Sequence, residues 1–203
     1  MLANLPNLYD LELINLYIEL CRDCLGDDST WDLTRLVIYN CATDRDDAEA
    51  HFSAMPHLRH LAVNMFYKGR GPPVSFPGEV LLGMPFLDYL ELDGGVMFRS
   101  NALQYVQCLK GLQELRLCST GCTGEDLAVT TSDLVGLSDL TSLHLTQQGC
   151  LQRSPVDAGF LASLNQLHVL VIPVPASPTL HWKHHCVQES SSPRWSTVVA
   201  IVR

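Results

Sequence analysis

The stretch MPFLDYLELDGG, residues 84–95, places leucines at positions 87, 90 and 92, so the intervals are three residues and then two. Apolar residues recur every three or four positions on an amphipathic helix and every two on a half-buried strand. Neither pattern alone gives this spacing. Leu90 and Leu92 are spaced as neighbours on one face of a strand, and Leu87 lies on the turn before it. The stretch therefore predicts a short strand that is entered through an apolar turn.

The same L-x-x-L-x-L pattern, with Val or Ile at some positions, recurs along the chain. Its copies begin at Leu8, Leu33, Leu58, Leu87, Leu112, Leu140 and Leu167, with starts 25 to 29 residues apart. In six of the seven copies, another Leu or Met lies three residues upstream, at Leu5, Met55, Met84, Leu109, Leu137 and Leu164. One repeat cannot bury its apolar face alone, so the pattern predicts that neighbouring repeats stack into a solenoid.

The pattern resembles the leucine-rich repeat family over residues 1–175. The resemblance implies an α/β horseshoe of about seven repeats, with a parallel concave sheet and an irregular or helical convex side. That family often carries Asn or Cys three residues after the last leucine, and here only Cys41 fits. With its long, uneven periods, the chain resembles the intracellular subfamilies, namely the ribonuclease-inhibitor-like type and the cysteine-containing type of F-box proteins.

The segments between the motifs are expected to return along the convex side. Residues 44–55 (DRDDAEAHFSAM), 100–112 (SNALQYVQCLKGL) and 156–164 (VDAGFLASL) are predicted to be helical from their capping residues or early acidic residues. Residues 67–80 (YKGRGPPVSFPGEV) are rich in Gly and Pro, which predicts a loop that bulges from the solenoid.

The two ends of the chain depart from the repeat. Residues 176–203 are predicted to be either a C-terminal tail or a degenerate capping repeat, since the final WSTVVAIVR recovers apolar alternation. A disordered tail is the alternative. The first repeat begins without a polar cap, although terminal repeats normally need a polar outer face. We therefore expect a further domain or subunit to cover the N-terminal edge.

The residues between the core leucines are expected to face outward on the concave sheet. Their charges are five carboxylates (Asp10, Glu12, Glu91, Asp93, Glu114) and two guanidinium groups (Arg35, Arg116), a net charge of −3. Tyrosine is favoured at interfaces because it combines a large rigid ring with a hydroxyl. We predict a partner-binding site on this face at Tyr39, Tyr89, Glu91, Asp93, Glu114 and Arg116. Ordinary solvated strand residues are the alternative interpretation.

Composition restricts the classes of partner. The chain of 203 residues has a formal net charge of −9 with only 13 Lys and Arg, which disfavours nucleic acid because phosphate binding needs concentrated basic residues. No apolar run approaches the length that spans a bilayer, and the N-terminus does not have the pattern of a signal peptide. We therefore expect an intracellular protein, cytoplasmic or nuclear.

No cofactor, metal or catalytic site is expected, and the chain is not expected to be an enzyme. CRDC (21–24) is a single C-x-x-C without a second pair at a spacing suited to zinc. HWKHHC (181–186) places two histidines four residues apart, but between prolines and serines that favour a loop. A metal-dependent or enzymatic module built on either motif is the remaining alternative, and zinc content would decide it.

The sequence therefore favours a non-enzymatic scaffold that binds a protein partner, possibly one with a basic surface, within a larger intracellular complex. The alternative is the substrate-recognition part of an F-box-type ubiquitin ligase adaptor. That alternative requires an F-box of about forty residues upstream, so the chain would then be a fragment. Both functions are inferred by analogy with the resembled family.

Overall fold

The structure is a computed structural model. It describes residues 7–15, 32–41, 55–64, 75–76, 78–93, 97–98, 103–118, 134, 136–145, 164–174 and 196–201. Within these ranges, one strand begins two residues after the first leucine of every motif.

The strands form one eight-stranded sheet within the described part of the chain. In chain order, its members are β1 (Asp10–Ile14), β2 (Arg35–Tyr39), β3 (His60–Asn64), β5 (Tyr89–Asp93), β7 (Glu114–Cys118), β8 (Ser142–Leu145), β9 (Val169–Val174) and β10 (Ser196–Ile201). The first seven pair in parallel in the order of the sequence, and β10 pairs antiparallel with β9. The predicted solenoid of stacked repeats is confirmed as a parallel-strand arrangement.

The register brings equivalent leucines side by side across the sheet. Leu36 lies opposite Leu61, which lies opposite Leu90. The row continues through Leu115 and Leu143 to Leu170, and all six side chains are buried. A second buried row runs through Ile38, Val63, Leu92, Leu117 and Leu145. The repeat spacing therefore builds one continuous core.

The apolar residue upstream of each motif has a structural reason. The backbone N–H of Leu87 donates to the carbonyl of Met84 at 3.2 Å. This hydrogen bond closes a four-residue turn, Met84 to Leu87, before the strand. The same bond joins four further pairs, Leu58 to Met55, Leu112 to Leu109, Leu140 to Leu137 and Leu167 to Leu164. Both ends of each turn are buried. The turn therefore places two apolar side chains in the core before the strand begins.

A ladder of carbonyl groups connects neighbouring repeats at the strand entry. The carbonyl of Arg59 accepts the backbone N–H groups of both Asp88 and Tyr89, at 2.8 and 3.0 Å. Five further repeat junctions have the same two-donor bond, with acceptor carbonyls at Tyr9, Thr34, Asp88, Gln113 and Thr141. This regular ladder satisfies backbone groups that would otherwise be left without a partner at the start of each strand.

β1 and β2 are each followed by an asparagine whose backbone is in the left-handed region. Asn15 has φ 56° and Asn40 has φ 52°, a conformation that Asn tolerates better than most residues. The Asn40 side-chain amide donates to the Asn15 side-chain oxygen at 2.6 Å. Next to them, the buried Cys41 thiol donates to the Leu13 carbonyl of the preceding repeat at 3.4 Å. Cys41 thus bonds to backbone, as its position in the motif predicts.

Few helices occur among the described residues. A 3-10 helix covers Gly78–Gly83 and α1 covers Leu103–Val106. The short strands β4 (Ser75–Phe76) and β6 (Met97–Phe98) pair in parallel. The predicted helix at 100–112 is thus reduced to one turn, and those at 44–55 and 156–164 lie almost entirely outside the described residues. The described part of the chain contains no helix long and apolar enough to cross a membrane.

The last part of the segment 67–80 is not the loop that the sequence predicts. Its described part contains β4 and the start of the 3-10 helix, which buries Val80 and Leu81. The reason is the apolar pair itself, which returns the chain to the core immediately before the next repeat. Residues 67–74 lie outside the described part of the chain.

The two ends of the sheet differ in composition and direction. On β1, Leu11 and Leu13 are only partly buried, whereas their equivalents on β2, Leu36 and Ile38, are each 2 % exposed. At the other end, β10 runs against β9 and does not continue the parallel register. The division of the chain at residue 175, and a partner that covers the β1 edge, stay predictions.

Candidate functional site

The outward-pointing residues of the sheet form a surface opposite the leucine core, and we call this surface the outer face. Its first row is Asp10, Arg35, His60, Tyr89, Glu114 and Ser142. Its second row is Glu12, Val37, Ala62, Glu91, Arg116 and His144. Its third row is Ile14, Tyr39, Asn64, Asp93 and Cys118. All six residues of the sequence-predicted site lie in these rows.

Three side chains stack across the middle of the outer face. The rings of His60 and Tyr89 are stacked, with centroids 3.9 Å apart and an angle of 7° between their planes. The guanidinium carbon of Arg116 lies 5.7 Å from the centroid of the Tyr89 ring, within cation–π range. Because these residues belong to β3, β5 and β7, the stack ties three repeats together.

Two carboxylates hold the ends of this stack. The Tyr89 hydroxyl donates a short hydrogen bond to Glu91, and Arg116 Nε donates to Glu114 Oε1 at 2.6 Å. Burial, followed by the hydrogen bond to Glu91, raises the pKa of Tyr89, so the phenol stays protonated and acts as a donor. Tyr89, Glu91, Glu114 and Arg116 therefore form one connected group within the sequence-predicted site, whose role in binding stays a prediction.

A second charged group lies at the β1 end of the outer face. Arg35 Nη1 lies 2.7 Å from Asp10 Oδ1 and 3.7 Å from Glu12 Oε2. These side chains are substantially exposed, and pairs of this kind contribute only about 0–1 kcal/mol to stability. Their main effect is on charge, because one guanidinium is shared between two carboxylates.

Tyr39, Asn64 and Asp93 occupy neighbouring positions in the third row, and with Glu91 we call them the Tyr39 site. Asn64 Nδ2 donates to Asp93 Oδ2 at 2.8 Å. The charge of Glu91 raises the pKa of Tyr39, and burial and the charge of Asp93 act in the same direction. The four side chains thus interact across β2, β3 and β5.

Two small apolar side chains lie beside the Tyr39 site on the outer face. Val37 and Ala62 belong to the outward second row, yet each is only 4 % exposed. They lie in register between Glu12 on β1 and Glu91 on β5. Tyr39, in contrast, is 40 % exposed. Neighbouring side chains therefore cover Val37 and Ala62, beside an aromatic ring that is exposed.

Both outer-face histidines of the described strands favour the neutral form. Burial lowers the pKa of His60, and the nearby charge of Arg35 lowers it further. Burial likewise lowers the pKa of His144, with a further contribution from Arg116. A hydrogen bond of 3.0 Å also joins His144 Nε2 to the Ser142 hydroxyl oxygen. Neither ring therefore adds positive charge to the face at neutral pH.

A groove of about 410 Å³ lies along the turns that precede the first strands, and we call it the rim groove. Its lining residues are Tyr9, Asp32, Thr34, His57, Arg59 and Phe86. Tyr9 and Phe86 are 54 % and 57 % exposed. Arg59 lies 3.7 Å from Asp88, so the positive charge of the groove is partly paired. The groove was not predicted, although its residues occupy equivalent positions in successive repeats: three follow the first leucine directly (Tyr9, Thr34, Arg59) and three precede it directly (Asp32, His57, Phe86).

Two outer-face residues that contact the sequence-predicted site, His60 and Asn64, were not part of that site. Each was assigned to the outward face, but only tyrosines and charged residues were selected from it. The available signal was register, since His60 lies directly opposite Tyr89 and Asn64 directly opposite Asp93. Equal positions in successive repeats therefore predict contact better than residue type does.

Metal-binding geometry is not found in the described residues, where no three His, Cys, Asp or Glu side chains are grouped to hold an ion. The CRDC and HWKHHC motifs lie outside the described part of the chain. Of the cysteines that the structure describes, Cys41 is buried and Cys108 is exposed. The outer face offers charge, aromatic stacking and hydrogen bonds for binding.

No protein-family model and no curated protein matches this chain.

Proposed function

We propose that the protein is a non-enzymatic interaction scaffold of the leucine-rich repeat type, and that its outer face binds a protein partner with a basic surface. The seven parallel strands in repeat register support the scaffold. The predicted horseshoe curvature would make the outer face concave, which suits a partner segment laid across several strands.

The observation that carries the proposal is the pairing of both outer-face guanidinium groups. Arg35 contacts Asp10 and Glu12, and Arg116 contacts Glu114 and lies over Tyr89. Each cation is therefore already engaged within the face. The face retains its net charge of −3, which favours and steers a positively charged partner.

The aromatic residues add to this preference. Tyr39 projects from the face, and Tyr89 is fixed by His60 on one side and Glu91 at its hydroxyl. A ring held in one orientation loses little conformational entropy on binding, which makes such residues effective anchors in interfaces. The faces of aromatic rings attract cations, so the tyrosines add to the attraction of the carboxylates.

Site-specific photo-crosslinking tests the proposal. The photoreactive residue p-benzoyl-phenylalanine would replace Tyr39 in one variant and Leu82 in a control, and adducts formed in cells would be identified by mass spectrometry. Leu82 is a suitable control because it is 57 % exposed but lies on the 3-10 helix, away from the sheet face. We expect a discrete adduct from position 39 whose crosslinked peptides are rich in Lys and Arg.

Adducts formed only from position 82, or equally from both positions, would contradict the proposal. A third variant with the photoreactive group at Phe86 reports on the rim groove. A discrete adduct from that position alone would move the binding surface from the outer face to the turns.

A further inference from the structure

The Tyr39 site brings together groups that accept hydrogen bonds or attract cations. Asn64 is 5 % exposed, and its side-chain oxygen Oδ1 accepts no hydrogen bond from any described residue. Its amide nitrogen is already committed to Asp93. A buried acceptor without a donor is unfavourable, so a donor supplied by a ligand would be favourable.

The remaining members of the site also favour a cationic donor. Glu91 and Asp93 are two residues apart on β5 and share the outward side of the strand. Tyr39 lies opposite Asn64, which lies opposite Asp93, so register places the ring, the acceptor and the Asp93 carboxylate side by side. The charges of Glu91 and Asp93 raise the pKa of the Tyr39 hydroxyl, and the charge of Arg116 lowers it. The face of an aromatic ring attracts cations, as the carboxylates do.

We infer that this position binds one arginine side chain of the basic partner, with its guanidinium between the Tyr39 ring, the Asn64 oxygen and the carboxylates of Glu91 and Asp93. The inference rests on the proposed function and gives it a specific contact. It names the chemistry that the outer face recognises, which net charge alone does not.

Arginine fits this set of groups better than lysine does. A guanidinium is planar, so it can stack on a tyrosine ring while its edge donates several hydrogen bonds in fixed directions. An ammonium group is a compact point charge and is more strongly hydrated.

The site must rearrange slightly to admit the ligand, because the Asn64 oxygen is covered in the unbound protein. Tyr39 is the most exposed of the four side chains. Exposed side chains change rotamer within nanoseconds, so a shift of this ring does not obstruct binding.

Nuclear magnetic resonance with short capped peptides tests the inference directly. The probes are acetyl-Gly-Ser-X-Ser-Gly-amide, where X is arginine, lysine or citrulline, and citrulline is the uncharged analogue of arginine. The reporters are the side-chain amide signal of Asn64 and the ring signals of Tyr39. We expect a saturable shift with the arginine peptide, weaker binding of the lysine peptide and no binding of the citrulline peptide.

Two variants separate charge from stacking. Glu91→Gln with Asp93→Asn should weaken arginine-peptide binding about tenfold or more, because both carboxylates lose their charge. Asp139→Asn with Gln166→Lys is the matched control, since it makes the same change in net charge on two exposed turn residues and should change binding little. Tyr39→Leu should remove the preference for arginine over lysine.

Three results would overturn the inference. They are equal binding of the arginine and citrulline peptides, equal binding of the arginine and lysine peptides by the unmodified protein, and an Asn64 signal that does not shift. Crosslinking from position 39 together with such a result would leave the proposed function standing without this contact. Arginine binding at Asn64 without any adduct from position 39 would instead contradict the proposed function alone.

Discussion

The fourth residue of each motif is a leucine that points toward the core. Leu90 is fully buried and lies between Leu61 and Leu115, which are also fully buried. A cavity at this position would touch three repeats at once, because the neighbouring strands are held in register by backbone hydrogen bonds. The surroundings therefore have little freedom to collapse into the space.

Replacing Leu90 with Ala should lower the free energy of unfolding by about 2–5 kcal/mol, measured by urea denaturation. Leu115→Ala should behave alike. Leu82→Ala is the control, because Leu82 is a leucine that is 57 % exposed, and surface changes are usually within about 0.5 kcal/mol. Equal stability of Leu90→Ala and the unmodified protein would show that the register is wrong.

A second prediction at this scale concerns pH. Burial and Arg35 lower the pKa of His60 below its ordinary value of 6.5 in the folded protein. As the pH falls below that value, the unfolded chain takes up a proton that the folded chain does not, so folding stability decreases. Unfolding free energies measured from about pH 8 to pH 5 should therefore fall less for His60→Gln than for the unmodified protein.

Parallel pH dependences for the two proteins would contradict the assigned cause. His144 provides an internal comparison, since burial and Arg116 lower its pKa in the same direction. His144→Gln should also reduce the loss of stability at low pH.

Sequence reasoning identifies most of these residues but not their pairing. The repeat spacing alone predicts that Leu90 and Leu92 are buried and that Tyr89 and Glu91 point outward. It does not give the stack of His60 on Tyr89, because side-chain rotamers decide which of several neighbours a ring contacts. The buried Asn64 was equally invisible, since an outward row is expected to be exposed.

At the scale of elements, the turn before each strand is as regular as the strand. Its hydrogen bond joins the upstream Leu or Met to the first leucine of the motif in five of the described repeats. One variation occurs before β8, where Gly136 has φ +98°. This conformation is costly for residues that carry a Cβ atom.

Replacing Gly136 with Ala should therefore destabilise the protein by about 1–2 kcal/mol. A Cβ atom there would also lie 2.8 Å from Lys110 Nζ, although that flexible side chain can move away. Gly111→Ala, in the turn before β7, is the control because no atom lies within 4 Å of the added carbon. Thermal denaturation of both variants makes the comparison, and a stability of Gly136→Ala equal to that of Gly111→Ala would refute the strain.

The strands of the motifs were predictable because the repeat pattern fixes their positions. The elements outside the motifs were not. Seven strands follow from seven motifs. The single-turn α1 is shorter than the capping and apolar pattern of residues 100–112 predicts, since the segment must reach the buried Leu109 and its turn. The direction of β10 was also unpredictable, because apolar alternation is the same read forwards or backwards.

At the scale of the whole molecule, stability is a sum of contacts between neighbouring repeats. A central strand such as β5 has neighbours on both sides, whereas β1 pairs within the described residues only with β2. The partial exposure of Leu11 and Leu13 reflects this difference. The solenoid should therefore be more stable in its middle than at β1.

Hydrogen exchange should reveal this gradient. We expect the slowest amide exchange in β3, β5 and β7 and faster exchange in β1, because opening at an end breaks fewer contacts. Mass spectrometry of peptides from each strand measures it in one experiment. Uniform protection across all strands would mean that the repeats unfold as a single unit.

The outer face is also a property of the whole molecule, since no single repeat forms it. Tyr39, Asn64 and Asp93 come from three strands that are separated by 25 and 29 residues in the sequence. Composition predicts the acidic character of the face, and register predicts its rows. The pairing of both guanidinium groups within the face emerges only from the assembled sheet.

The most direct test of a basic partner on the outer face is quantitative capture from cells with matched charge reversals. Glu91→Lys with Asp93→Lys reverses the charge of the Tyr39 site, and Asp139→Lys with Asn165→Lys and Gln166→Lys makes the same net change on exposed turns. Because Asp93→Lys removes the acceptor of the buried Asn64 amide, capture is compared at a temperature where circular dichroism shows all three proteins folded. We predict that the first variant loses partners that the unmodified protein and the second variant both retain. Equal retention by both variants would contradict it.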